Sequence, residues 1–307
     1  MPRKVAIVSA GNDPYFYLLD GLIASLEDAK LPANFDLCVY DVGLTTQQIH
    51  NLASRNVTVV APPWTLDFPS KAEPPRWFRA MTNRPYLPKY FPGYETYVWI
   101  DADAWIQQPE GIHAAIEAAR GGSVAIVTER FGRSIVYPVP NLFGGIKETA
   151  VSEAGVRRHL AKCYRQCFGP ETEHCAQQAI YNTGFFALRG DSPIWDQWVQ
   201  YLRRGLQNKP HKLVEQQALN LGILEGAIPA TVLPNRYNWN ITCMEPVYDA
   251  ASRQLVDPDD RKTLGLLHLT DIKHLHFVEI PSLSGRTVRL WLRYRDFRTR
   301  AVEEEES

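Results

Sequence analysis

Two carboxylates, Asp101 and Asp103, follow directly on the apolar run Tyr97-Val98-Trp99-Ile100. That run favours a strand, and a strand sends alternate side chains to the same side. The two carboxylates therefore face one site, with Cα atoms roughly 6.5 Å apart if the extended backbone continues. Two hard oxygen donors at that spacing can share a divalent cation and leave coordination positions open for the oxygens of a diphosphate. The carboxyl ends of strands in an open α/β sheet are where such ligands bind. Aspartates are also common where strands end, so this reading requires other parts of a site elsewhere in the chain.

Other chemistry is thinly represented. The five cysteines, Cys38, Cys163, Cys167, Cys175 and Cys243, are odd in number, which argues against a disulfide framework. His159, Cys163 and Cys167 recur every fourth residue, with His174 and Cys175 close by. The spacing matches no common zinc pattern and fits packed thiols on a helix better. A formal net charge of −1 over 307 residues gives no support to a nucleic-acid role. The apolar Val5–Val8 is too short for a signal peptide, and no stretch approaches the ~18 apolar residues of a membrane span. A cytoplasmic protein is expected.

The elements that must position the carboxylates alternate at first. Strands are expected at Val5–Ser9, Phe35–Asp41 and Val57–Val60. Helices are expected at Tyr15–Ala29 and Thr45–Ser54, the latter with Thr45 as cap. This βαβαβ opening argues for a parallel sheet with helices on its faces. Pro62–Pro75 reads as a surface loop, and Trp77–Tyr90 as a helix broken by Pro85 and Pro88. Beyond the aspartates come helix Gly111–Arg120, strand Ser123–Thr128 and an aperiodic loop over Arg130–Glu148. Helix Val151–Phe168 and strand Ala179–Leu188 follow, then helices Ser192–Leu206 and Val214–Leu224, and strand-like Thr231–Leu233 and Leu264–Leu269.

An ordered set of segments carries a resemblance. It comprises Ser9–Tyr15, Trp77-Phe78-Arg79, Val98–Asp103, Tyr181-Asn182-Thr183-Gly184-Phe185-Phe186, Glu215–Asn220, Tyr237-Asn238-Trp239-Asn240, and Leu267-His268-Leu269 with Lys273. In this order the set resembles GT-A glycosyltransferases of the family 8 type, the glycogenin and bacterial lipooligosaccharide galactosyltransferase group. The resemblance implies an α/β, Rossmann-like mixed sheet flanked by helices. It implies one compact domain over 1–285, with a nucleotide half to about 135 and an acceptor-side half from about 136, and 286–307 as an extension. It further implies transfer of a sugar from a UDP-sugar to a carbohydrate or glycolipid hydroxyl, with retention of configuration.

Site residues carry over by position. Asp101, Asp103 and His268 correspond to the ligands of Mn²⁺ (or Mg²⁺), with Ala102 between them. Lys273 and Arg79 correspond to groups that hold the donor diphosphate and sugar. Asn12, Asp13 and Tyr15 lie where uracil and ribose are held. Asn182 and Gly184 form the turn beside the transferred sugar, and Glu215 and Gln216 stand next to the anomeric carbon. The chain departs from the family pattern in Glu-Gln-Gln for Asp-Gln-Asp and in the residues after Lys273, so His274 and His276 remain alternatives there.

Three competing readings are open to the same residues. A haloacid dehalogenase-type phosphatase also places Asp-x-Asp after an apolar strand and would use Asp259-Asp260. A nucleotidyltransferase would carry a glycine-rich basic loop after the first strand, where this chain has Gly11-Asn12-Asp13-Pro14. A silent sugar-nucleotide binder would keep the fold without turnover. Finally, six arginines between Arg286 and Arg300 interleave with Leu290, Trp291, Leu292, Tyr294 and Phe297. Such a segment can lie on the inner face of an anionic membrane, or simply pack as a strand and helix; Glu303–Glu306 would oppose anionic lipid.

Overall fold

In a computed structural model, residues 4–69, 71, 74–140, 146–208 and 211–300 are described. In chain order the elements are β1 (Val5–Gly11), α1 (Phe16–Asp28), β2 (Phe35–Asp41), α2 (Thr46–Ser54), β3 (Thr58–Val60), α3 (Phe78–Thr82), α4 (Leu87–Tyr90), β4 (Thr96–Ile100) and β5 (Ala104–Ile106). The chain continues through α5 (Glu110–Ala119), β6 (Val124–Thr128), β7 (Val136–Pro140), β8 (Ile146–Ala150), α6 (Glu153–Phe168), β9 (Tyr181–Arg189), α7 (Ile194–Leu206) and α8 (Val214–Leu224). It ends with β10 (Ala230–Leu233), β11 (Trp239–Asn240), β12 (Val247–Asp249), β13 (Gln254–Val256), β14 (Leu266–His268), β15 (Phe277–Pro281), β16 (Thr287–Trp291) and α9 (Tyr294–Thr299).

Seven strands form the main sheet in the order β10-β6-β9-β4-β1-β2-β3. All run parallel except β9, which is antiparallel to both β4 and β6. Helices cover both faces, so the central strands are largely apolar and their alternation sorts side chains between two cores. Tyr97, Trp99, Phe186 and Leu188 enter the core shared with α6, α7 and α8. Val98, Ile100, Phe185 and Ala187 enter the opposite core with α1 and α5. This is the mixed α/β architecture expected. The cap on α2 is also as read: Thr45 Oγ1 accepts from the Gln48 amide while Gln48 Oε1 accepts from the Thr45 amide.

Two expectations are corrected. Arg130–Glu148 is not aperiodic, because β7 and β8 pair antiparallel within it. Pro138 and Pro140 on the first strand hide the pattern, and a two-stranded ribbon of this kind tolerates proline where a central strand does not. The Pro62–Pro75 segment is not wholly at the surface, since Leu66 and Phe68 are buried in the core.

The arginine-rich end is tied into the body. β16 pairs with β15, so a boundary at 285 falls within the turn of one hairpin. Val288, Leu290, Leu292 and Tyr294 are buried in a core with Trp105. The Trp105 indole donates to the Leu292 carbonyl (2.9 Å) and the Tyr294 hydroxyl donates to Asp28 (2.7 Å). Arg295 pairs with Asp20, and Arg300 with Asp296. Leu290, Leu292 and Tyr294, which an interfacial segment would insert into lipid, are thus turned inward, and Trp291 and Phe297 are half-buried. Among the described residues no helix is long and apolar enough to cross a membrane. Four large buried side chains represent roughly 6–12 kcal/mol of burial at ~1.5–3 each, comparable to a whole domain's stability. Deleting the chain from residue 286 is therefore expected to abolish the cooperative thermal transition seen by circular dichroism; an unchanged melt would contradict this packing.

Candidate active site

The carboxylates converge through a turn rather than along an extended strand. β4 ends at Ile100, and the Ala104 amide donates back to the Asp101 carbonyl (3.1 Å). The chain then reverses into β5, which pairs antiparallel with β14 so that Ala104 stands opposite His268. The Leu269 amide closes the corner on the Asp103 carbonyl (2.8 Å), and the Asp101 amide binds the Gly184 carbonyl of β9 (2.8 Å). Asp101, Asp103 and His268 thereby offer three ligand atoms, all within 4.8 Å of one another. His268 Nε2 lies 3.3 Å from Asp103 Oδ1 and 3.9 Å from Asp101 Oδ2.

Neighbouring groups fix which atoms are presented. The Asn238 amide oxygen faces His268 Nδ1 at 3.2 Å and can accept its proton, so that in the neutral ring the Nε2 lone pair is the one turned to the carboxylate corner. Trp99 Nε1 (2.7 Å) and Arg84 Nη2 both donate to Asp101 Oδ1, leaving Oδ2 turned toward His268. A side chain at position 184 would place its Cβ 2.4 Å from His268 Cε1 and 3.0 Å from Asp101 Oδ2, so glycine is what permits the approach. A mixed oxygen and nitrogen donor set, oriented by outer hydrogen bonds, fits a divalent cation of the Mn²⁺ or Mg²⁺ kind.

The electrostatics agree with a cation site. Burial pushes the Asp103 carboxyl up, but His268 and Lys273 outweigh it and hold it well below the usual carboxylate range. Burial pushes the His268 imidazole down, while its bond to Asp103 and the charges of Asp103 and Asp101 carry the net shift upward. Lys273 Nζ lies 2.7 Å from Asp103 Oδ2 and 5.8 Å from the centre of the Tyr15 ring. Its ammonium links the carboxylates to the aromatic wall next to them.

Two clefts meet at this corner, sharing Met81, Arg84, Asp101, Asp103 and Lys273. One, of about 410 Å³, is lined by Asn12, Tyr15, Trp77, Trp99 and Ala102. Tyr15 and Trp77 are two of the large apolar side chains left exposed, at 45% and 40%. The other, of about 570 Å³, is lined by Glu129, Asn182, Gln216, Asn240 and Thr270. Gln216 Oε1 accepts weakly from the Thr183 amide (3.4 Å), and Asn182 Oδ1 accepts from the Gly184 amide (2.7 Å). Thr270 holds a positive φ of 46°, unfavourable for a β-branched residue, secured by hydroxyl contacts to Asn240 (3.2 Å) and Thr242 (2.9 Å).

Three residues carried over from the sequence sit elsewhere. Arg79 donates to the carbonyls of Arg76 and Pro62 and lines neither cleft. Asp13 accepts from Gln48 (2.8 Å) and lines neither. Glu215 is wholly buried and reaches the site only through Arg84 Nη1 (2.8 Å) and Thr183 Oγ1 (3.2 Å). Asp259 and Asp260, the pair a phosphatase would need, are engaged with Arg130 and Lys262 outside both clefts.

Arg84 was missed by sequence reasoning. Its guanidinium is buried, binds Asp101, Glu215 and Thr183, and lies 4.7 Å from the centre of the Trp99 ring. The available signal was Asn83-Arg84-Pro85, where the proline ends α3 and turns the arginine inward. Thr270 is likewise visible only in three dimensions, and Asn238, part of the Tyr237–Asn240 segment, shows its bond to His268 only there. Glu129 accepts from the side-chain amides of Asn182 and Asn240 at the base of the larger cleft.

Burial pushes the Glu215 carboxyl up to about 7; Arg84 opposes the rise and Asp101 adds to it. Arg84→Met removes the charge that opposes the rise, so the carboxyl titrates higher still, and the substitution should cost about 3–5 kcal/mol of stability in urea titrations at alkaline pH, where Glu215 is ionised and unpaired. The cost should shrink toward acid pH, where Glu215 takes up a proton. A pH-independent loss would contradict the pairing. Gly184→Ala should remove divalent-cation binding in calorimetry, and retained affinity would show that the corner has room to spare.

No family model matches the sequence, and no curated protein matches it significantly. Solved structures are similar at the level of the fold. The galactosyltransferase LgtC, in complex with donor and acceptor sugar analogues, shares 14% identity at a TM-score of 0.50 over 86% of this chain and 87% of LgtC. Mouse xyloside xylosyltransferase 1 shares 13% at 0.51, over 88% of this chain and 98% of that one. The bifunctional glycosyltransferase WbbM shares 17% at 0.51 over 88% of this chain, which spans 46% of WbbM. The protein has the GT-A fold of these glycosyltransferases.

Proposed function

We propose that this protein is a metal-dependent glycosyltransferase that moves a sugar from a UDP-sugar to a hydroxyl of a carbohydrate or glycolipid acceptor, with retention of anomeric configuration. The observation that carries the reading is the placement of the Asp101–Asp103–His268 corner at the junction of two clefts of different character. One has the exposed aromatics a nucleoside stacks on, and the other the amides and carboxylate that bind sugar hydroxyls.

Asp101, Asp103 and His268 would hold Mn²⁺ or Mg²⁺, which when bound supplies charge neutralisation to a departing diphosphate. Tyr15, Trp77 and Asn12 frame the nucleoside. Lys273, close to both Tyr15 and Asp103, is placed to exchange its carboxylate partner for a phosphate oxygen. Arg84 keeps Asp101 Oδ2 facing inward, and its fork borders both clefts. Asn182 and Gln216 offer amide groups next to the carboxylate corner, where they can orient the donor sugar and support positive charge on its anomeric carbon. Glu215 serves as a positioning residue through Arg84.

The test is a screen for UDP release from UDP-glucose, UDP-galactose and their N-acetyl derivatives, with and without manganese. Manganese-dependent hydrolysis of one donor is expected; UDP binding without any turnover would favour a silent binder. Gln216→Ala should lower turnover at least tenfold while leaving UDP affinity within a few-fold, and NMR of the product anomer tests retention. Asp103→Asn should abolish manganese-dependent UDP binding, whereas unchanged affinity would reject the metal assignment. The cation needs the neutral form of His268, whose pKa is raised. Manganese affinity should therefore fall as pH drops through that value, by up to about tenfold per unit. A flat profile would place the imidazole outside the ligand set.

A further inference from the structure

The larger cleft has a wall that the donor does not explain. The start of α6 and the residues just before α8 border it, through Ser152, Val156, His159, Leu160, Lys212 and Leu213. Its character changes along that wall. Amides and carboxylates gather at Asn182, Gln216 and Glu129, Leu160 and Leu213 are apolar, and His159 and Lys212 are basic. Lys162 stands one turn beyond His159 on α6, and the His159 and His211 rings are in contact, with centroids 5.1 Å apart.

The lysines of this basic end, Lys162 and Lys212, carry no ion pair among the described residues, although the Asp271 carboxylate also lines the cleft. Burial and then the charges of Lys212 and Lys162 lower the pKa of His159, with Asp271 the one carboxylate opposing them. Burial, His159 and the same two lysines push His211 down to about 4. The Leu213 amide donates to His211 Nδ1 (3.1 Å), so the neutral ring carries its proton on Nε2 and is a donor there.

We infer that the acceptor carries a negatively charged group, a phosphate or a carboxylate, that seats against His159, Lys162 and Lys212 while its sugar lies across Leu160 and Leu213 toward Asn182 and Gln216. The inference rests on the transferase reading for the word acceptor. The preference for an anionic sugar in this cleft is a property of the binding surface and can be measured without turnover.

Matched probes decide it. Methyl glucuronide against methyl glucoside varies a carboxylate, and glucose 6-phosphate against glucose varies a phosphate. Binding is followed by ligand-detected NMR with UDP and manganese present, and KM is measured where transfer occurs. The anionic member of at least one pair should bind on the order of tenfold more tightly, with the advantage eroded by salt. Which pair responds tells carboxylate from phosphate. In the double variant Lys162→Ala/Lys212→Ala, both positions being exposed, that advantage should vanish while affinities for the neutral sugars and for UDP with manganese are kept. Equal binding within both pairs, or a double variant that weakens charged and neutral probes alike, overturns the inference. Charge-selective binding without sugar transfer from any donor would leave it standing and overturn the transferase reading instead.

Discussion

The buried guanidinium of Arg84 is the contact on which the rest of the site depends. It sits under Trp99 and bonds at once to Asp101 at the end of β4, Thr183 on β9 and Glu215 at the start of α8. Three elements distant in sequence are tied to one buried cation. Its planar fork matches several oxygens in fixed directions, which an ammonium group cannot do. Because one oxygen of Asp101 is held by Arg84 and Trp99, the other has a defined direction, and that direction faces His268. The full burial of Glu215 then follows from its task, since a carboxylate there serves the fold by retaining Arg84.

The second requirement is the small sheet in which β14 lies between β11 and β5. Asn240 and His268 are partners across β11–β14, and His268 and Ala104 across β5–β14. A slip of one residue in either register would turn His268 away from the carboxylates. The C-terminal hairpin and α9 brace this sheet from behind through Trp105, which explains why arginine-rich sequence that resembles a membrane segment has Leu290, Leu292 and Tyr294 in the interior. The strained Thr270 lies two residues beyond β14 and faces the larger cleft, as expected where backbone cost is tolerated to shape a binding surface.

The two clefts divide the work by composition. Aromatic side chains left in water on one side and amides on the other leave the carboxylate corner as their shared boundary. A donor can span that boundary only if its charged middle lies at the corner. On the proposed reading that middle is a diphosphate between a base and a sugar, a match of shape and charge that neither cleft makes alone.

The sequence by itself determined the layered α/β fold, because apolar strands alternating with amphipathic helices leave few other arrangements, and it singled out the carboxylate pair, which gained weight only from the ordered segments elsewhere because aspartates are common where strands end. It also supplied His268, Asn182, Gly184 and Gln216 as an ordered set. It could not decide which arginine enters the site. Arg79 and Arg84 differ by little in local sequence, and only the break at Pro85 together with the distant Glu215 and Thr183 draws the second one inside. The convergence of Asp101 and Asp103 likewise came from a turn and the β5–β14 register, not from strand alternation. Local pattern records which face of an element is buried; contacts between residues more than a hundred positions apart are set by packing, and there the tertiary structure alone decided.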